Sequence, residues 1–202
     1  MSIDLNLMKA LIKADYTRRV KTFRALPIEG KDVIIGDSMI AYLNFSQYGL
    51  DDFINMGIAG DTTLGVLDRL DAVIRQKPKR IILSIGSNDL VLTAHKPMDI
   101  LVKITEIYDI LSKHAEVLIL SLTPVNEDDP KAHKAYIAGR KNEDIHAINI
   151  SLKEYFKSRL IDTETPLSDT SQKLDIVYSK DGIHLNEKGY QVFVEIIKNA
   201  LV

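Results

Sequence analysis

The stretch VIIGDSMI, residues 33–40, opens with three β-branched apolar residues and then breaks into Gly36, Asp37 and Ser38. An apolar run without polar alternation suits a strand covered on both faces in a parallel sheet. Two further runs repeat the pattern, Ile81-Ile82-Leu83-Ser84-Ile85 and Val117-Leu118-Ile119-Leu120. Between and after them lie stripes at helical period: Leu67, Leu70 and Ile74; Leu101, Ile104, Tyr108 and Leu111; Ile145, Ile148, Leu152 and Tyr155. A last stripe, Tyr190, Phe193, Val194, Ile197 and Leu201, has Asn186 available as its N-cap. This alternation predicts a doubly wound α/β sheet with about five parallel strands, drawn at 31–36, 52–56, 80–85, 116–121 and, more weakly, 160–163.

The chain has 202 residues, 46% of them hydrophobic, enough to bury one sizeable core. The expectation is a single domain over 1–202, with residues 1–28 as an N-terminal helical extension packed on it. Lys plus Arg number 26 against 28 Asp plus Glu, a net charge of -2, so the overall balance draws the chain neither to nucleic acid nor to an anionic membrane. The expected partner is a small molecule. The absence of cysteine excludes disulfides, thiolate metal sites and a cysteine nucleophile, and leaves the redox compartment open. The opening MSIDLNLMKALIKADYTRRV carries Asp4 and lacks an uninterrupted apolar core, so it does not read as a secretory signal. No run approaches membrane-spanning length, and cytoplasmic residence is the default expectation. The polar stretch Pro124 to Gly139 is long enough to be a lid or an ordinary surface excursion.

In open α/β sheets, ligands bind outside the carboxyl ends of the strands. Three strand ends carry polar motifs: Gly36-Asp37-Ser38, the stretch NMGIAGDTT (55–63) and GSND (86–89); DGIH (181–184) precedes the last helix. A serine hydroxyl becomes a nucleophile when a base takes its proton and a third group orients that base. Asp181 and His184, three residues apart in a turn, supply those parts for Ser38. The oxyanion formed on attack needs preorganised donors. The backbone N–H of Ser38 at a helix start, the backbone N–H of Gly57 and the side-chain amide of Asn88 fit that need. Taken singly, each residue has a plainer role: Ser38 as a helix cap, Gly57 and Asn88 as turn residues, Asp181 as a cap in a DG turn, His184 as a structural histidine.

Together, GDSM (36–39), Gly57 within NMGIAGDTT, GSND (86–89) and DGIH (181–184) resemble, in order, the four signature blocks of the SGNH hydrolases, also called GDSL esterases and lipases. The blocks span most of the chain, and the text around them is similar to the platelet-activating-factor acetylhydrolase-like branch. The resemblance implies a flavodoxin-like three-layer α/β/α sandwich that hydrolyses esters through an acyl-enzyme, with no metal or cofactor. By position it implies Ser38 as nucleophile and first oxyanion donor, Gly57 and Asn88 as the other donors, and Asp181 and His184 completing the triad. An O-acyltransferase on the same residues and a catalytically silent binding module are the alternatives.

The remaining polar residues have structural expectations. Asp37 and Asp89 brace loops by accepting backbone N–H groups, and Asp61 with Thr62 starts the helix carrying Leu67 and Leu70. His95, His114, His133 and His146 lack metal-ligand spacing. Lys13, Arg18, Arg19, Lys21 and Arg24 form the solvated face of an N-terminal helix.

Overall fold

The computed structural model describes residues 5–93, 95–133, 137 and 139–201. The five expected strands are present as β1 (Asp32–Gly36), β2 (Phe53–Gly57), β3 (Arg80–Ser84), β4 (Glu116–Leu120) and a short β5 (Leu160–Ile161). They form one parallel sheet in the order β2-β1-β3-β4-β5. This is the flavodoxin-like order, whose switch point lies between β1 and β3.

Continuous apolar strands alternate their side chains between two faces, so each face needs its own helical cover. Val33, Ile35, Ile81, Leu83, Val117 and Ile119 point to one core. That core is closed by α1 (Leu5–Ala25), α3 (Thr63–Asp68), α4 (Leu70–Arg75), α6 (Pro97–Leu111) and α7 (Asn142–Phe156). Ile34, Ile82, Leu118 and Leu120 point to the other, closed by α2 (Ser38–Ala41) and α8 (Glu187–Asn199). A short α5 (Asp89–Leu92) follows β3. The α1 helix docks through Val20 and Phe23, with the Tyr16 hydroxyl donating to Gly65 O at 2.8 Å. Arg18 and Arg24 of its basic face are exposed, and Arg24 pairs with Asp71.

The helical stripes are found with small shifts. Asn186 caps α8 by accepting the Gly189 N–H, and Tyr190, Phe193, Val194 and Ile197 are buried while Leu201 is half-buried. In α7 the stripe drifts one position at its end, so Phe156 is buried and Tyr155 exposed. In α6 the fully buried positions are Ile100, Ile104, Ile107 and Leu111, with Leu101 and Tyr108 at the margin. The Leu67–Leu70–Ile74 stripe is not one helix. The backbone breaks at Arg69 (φ -118°, ψ 15°) between α3 and α4, and that break has a consequence at the strand ends.

Candidate active site

At the end of β1 the chain must turn sharply beside β3. Gly36 permits this, because a Cβ there would sit 2.3 Å from Ser84 O. Asp37 then caps α2, its carboxylate accepting the Met39 N–H at 3.0 Å. The capping role open to Ser38 is therefore filled by its neighbour, as the loop-bracing expectation for Asp37 required. Ser38 is the first helical residue, and its N–H has no acceptor among the described residues.

His184 Nε2 lies 3.0 Å from Ser38 Oγ, and His184 Nδ1 lies 2.8 Å from Asp181 Oδ2. The other carboxylate oxygen, Oδ1, accepts the N–H groups of Ile183 (3.2 Å) and His184 (2.8 Å). Burial pushes the Asp181 carboxyl up, yet the His184 and Ile183 donors together hold it below the ordinary value. An ionised carboxylate at Nδ1 fixes the proton there and leaves Nε2 as the acceptor facing the hydroxyl. The chain of atoms runs serine, imidazole, carboxylate, which is the order that proton abstraction from Ser38 requires.

The expected oxyanion donors divide. Asn88 is buried beside the cleft: its amide donates to Asp61 O at 2.9 Å and its carbonyl accepts from Arg140 Nη2 at 2.6 Å, leaving one amide hydrogen for a ligand. Gly57 does not line the cleft. Its N–H donates to Asn55 Oδ1 at 2.9 Å, and a Cβ on it would stand 2.2 Å from Ala41 N, so this glycine lets α2 pack on β2. The glycine of this stretch that faces the cleft is Gly60. Gly60 lines the cleft at φ +77°, and its N–H has no acceptor among the described residues. The signal lay in the same stretch: the first glycine of NMGIAGDTT ends a strand, whereas the second turns the loop ahead of α3.

Two residues that matter here escaped the motif reading. Arg140, one residue past the polar excursion, donates through Nε to Ser87 Oγ (3.2 Å) and through Nη2 to Asn88. Arg69, wholly buried at the α3–α4 break, pairs with Asp61 at 2.7 Å and donates to Met56 O (2.8 Å) and Gly36 O (3.2 Å). It thereby ties the ends of β1 and β2 to the Gly60 loop. Asp61 thus does more than start a helix; Thr62 is the cap of α3, and burial raises the Asp61 carboxyl while Arg69 pulls it back. Asp89 braces a loop as expected, accepting the Thr63 N–H (3.0 Å) and hydroxyl (2.5 Å), with His95 Nδ1 3.3 Å away. Among the described residues no group of three or more His, Asp or Glu stands together as a metal-ligand set.

The cleft over these atoms holds about 350 Å³. Its apolar wall comes from Ile12 of α1, Val91, Leu92, Val125 and Ile183. The 124–139 excursion braces the site from the side: Asn126 N–H donates to Gly182 O (2.8 Å) and His133 N–H to Asp181 O (3.3 Å). Residues 134–136 and 138 of that excursion lie outside the described residues. No helix among the described residues is long and apolar enough to cross a membrane.

A family model described as the GDSL-like Lipase/Acylhydrolase family matches residues 35–192. Platelet-activating factor acetylhydrolase IB subunit alpha2 from Homo sapiens is 26% identical over 166 residues, 78% of this chain and 70% of the relative. A Streptococcus pneumonia structure whose description names platelet activating factor superposes with TM-score 0.85 at 25% identity, covering 98% of both chains. A GDSL-like lipase from Bacteroides thetaiotaomicron gives TM-score 0.80 at 20% identity, over 93% of this chain and 97% of the other, a likeness of fold.

Proposed function

Because the chain belongs to the GDSL-like lipase/acylhydrolase family, and is a carboxylic ester hydrolase, we propose that it is a serine esterase whose acyl-enzyme forms on Ser38. The observation that carries this is the Ser38 Oγ–His184 Nε2–Nδ1–Asp181 Oδ2 chain, at 3.0 and 2.8 Å. Ser38 attacks the ester carbonyl as His184 takes its proton, and Asp181 keeps the imidazole in the required tautomer and stabilises the imidazolium. The oxyanion is received by the N–H groups of Ser38 and Gly60 and by the Asn88 amide. Collapse expels the alcohol with a proton from His184, and water repeats the sequence to release the acid.

The substrates are esters of small to medium acyl groups, acetyl esters included. The volume of the cleft and its short apolar wall support this, as does the acetylhydrolase name of the human relative. The same proposal treats the chain as one domain, since both cores share one sheet and α1 lends Ile12 to the cleft.

The test is hydrolysis of p-nitrophenyl esters from acetate to long acyl chains by the wild type and by Ser38→Ala. The expected result is turnover that weakens with chain length and falls by at least about 10³-fold in Ser38→Ala, with the fold intact by circular dichroism. Undiminished turnover in Ser38→Ala sinks the proposal.

A further inference from the structure

In the tetrahedral intermediate of the proposed reaction, the oxyanion points to the N–H groups of Ser38 and Gly60 and to the Asn88 amide. The alcohol oxygen stands beside His184 Nε2, which gives it a proton. The acyl chain takes the direction that remains, and an apolar chain gains by lying on apolar surface. Away from His184 that surface has two sources: Val91 and Leu92, in the short helix that follows Asn88, and Ile12 of α1.

The rest of α1 fixes where Ile12 stands. Ile12, Tyr16, Val20 and Phe23 fall on one stripe at helical period. Val20 and Phe23 are buried, and the Arg69 guanidinium lies over the Phe23 ring, 5.7 Å from its centre. The Tyr16 hydroxyl is 2.8 Å from Gly65 O and 2.9 Å from Asp68 Oδ2. The helix is thus fastened to α3 and to the arginine that grips Asp61, next in sequence to Gly60. At the far end of the stripe, a Cβ on Gly60 would stand 2.9 Å from Ile12 Cδ1 and Cγ1 and 3.0 Å from Cγ2. The whole branched side chain therefore lies across this glycine. Its neighbour Leu11 is 63% exposed and does not line the cleft.

We propose that Ile12 is the residue that limits acyl length: laid over Gly60, it closes the acyl side of the cleft to chains longer than a few carbons. The inference rests on the serine-esterase reading above and names what sets its acyl preference. A β-branched side chain is stiff at χ1, so Ile12 does not fold aside as an unbranched methionine would. Its helix is anchored along the stripe, so the backbone does not retreat either. A longer acyl chain must lift Ile12 from Gly60 and forfeit that packing, and a misfit of one methylene in an apolar pocket already discriminates by about tenfold or more. Because α1 ends at Ala25, ahead of β1, the limit comes from an element outside the sheet that carries Ser38.

The experiment compares kcat/KM for p-nitrophenyl acetate and p-nitrophenyl hexanoate in the wild type, Ile12→Ala, Ile12→Phe and Leu11→Ala. Ile12→Ala is expected to raise the hexanoate-to-acetate ratio by about tenfold or more, Ile12→Phe to lower it, and Leu11→Ala to leave it at the wild-type value. An unchanged ratio in Ile12→Ala overturns the assignment, as does an equal loss on both esters, which would make Ile12 only a support for Gly60. The same rise in Leu11→Ala also overturns it, because loosening α1 would then suffice. Should Ile12→Ala fail to fold, Ile12→Phe decides, and a ratio no lower than that of the wild type sinks the proposal. Saturation-transfer NMR with hexanamide reads the same wall without turnover: a contact that strengthens in Ile12→Ala supports it, and an unchanged contact counts against it. Failure of serine-dependent turnover on every ester overturns the esterase reading instead, and the hexanamide contact still decides whether Ile12 closes an apolar pocket.

Discussion

The two walls of the cleft are built by different means. On the His184 wall the side-chain bonds are local: Asp181 holds the N–H groups of residues 183 and 184 and the imidazole, Gly182 N–H donates to Ser179 Oγ at 2.8 Å, and Lys180 N–H donates to His184 O at 2.8 Å, with the Asn126 and His133 backbone N–H groups bracing the loop from outside. On the oxyanion wall the bonds are long-range and buried. Asn88 is held by Asp61, 27 positions away, and by Arg140, 52 positions away, and Asp61 in turn is held by Arg69, which also grips the ends of β1 and β2. A local knot keeps its geometry whenever its own few residues are ordered. A buried network of charges exists only when the whole sheet is assembled, and it is sensitive to the loss of any single partner.

That contrast is most exposed to refutation at Arg69. Arg69→Met leaves Asp61 buried without its cation and takes the guanidinium away from Met56 O and Gly36 O, the latter keeping only the Ile58 N–H, so a loss of about 3–5 kcal/mol in urea denaturation is expected. A loss under about 1 kcal/mol, the scale of a surface pair, erases the distinction between the walls. Asn88→Ala removes one of the proposed oxyanion donors and is expected to lower kcat by about 10²–10³, with much smaller change in KM. Arg140 touches Asn88 and acts through it, as a positioning residue. Arg140→Lys replaces a forked donor by a point charge and should lower kcat about tenfold in the native background, yet have little effect in Asn88→Ala. Additive losses in that double-mutant cycle would remove Arg140 from the oxyanion wall.

The most condition-dependent effect concerns Asp37, beneath both walls. Burial pushes its carboxyl up to about 7, against the Met39 N–H and the charge of Arg140, which pull it down. A raised folded pKa means that the native state binds the proton more tightly than the unfolded chain. The stabilising contribution is then present in full below the ordinary carboxylate range, and is lost as pH rises toward about 7. Asp37→Asn keeps a capping side chain without the ionisable group, so its stability relative to the wild type should be lowest below the ordinary carboxylate value, rise as pH climbs toward about 7 and level off above it, as read by thermal melts. A constant difference across that range would mean that Asp37 is not titrating in the native protein.

The same contrast explains what could be read from the sequence. The strands declared themselves because both faces are covered, and Ser38, Asp181 and His184 because the chemistry of each demands the others. Asp181 and His184 form a local wall and fall in one short motif, DGIH, while Ser38 marks itself at the end of an apolar strand. Which glycine of NMGIAGDTT faces the cleft was not legible, since the two, three apart, differ in backbone conformation (φ +77° at Gly60) and in what packs against them, neither of which the letters carry. Arg69 lay inside an apolar stripe that promised one continuous helix, and only the break in the backbone lets its guanidinium turn inward. Arg140 carried no motif, because its partner is set by how the excursion returns across β3. Tyr155 and Phe156 exchange roles for a plainer reason: adjacent aromatic residues at a helix end are assigned by packing, not by period.

For the protein engineer, the 124–139 excursion together with the Arg140 that follows it sets a rule for loop exchange. This segment is anchored at both ends, Asn126 to the histidine loop at Gly182 and Arg140 to the Asn88 side chain. A transplanted segment that changes specificity must therefore keep both anchors at their present separation, or it will reset the distance between His184 and Asn88 along with the substrate it was meant to admit.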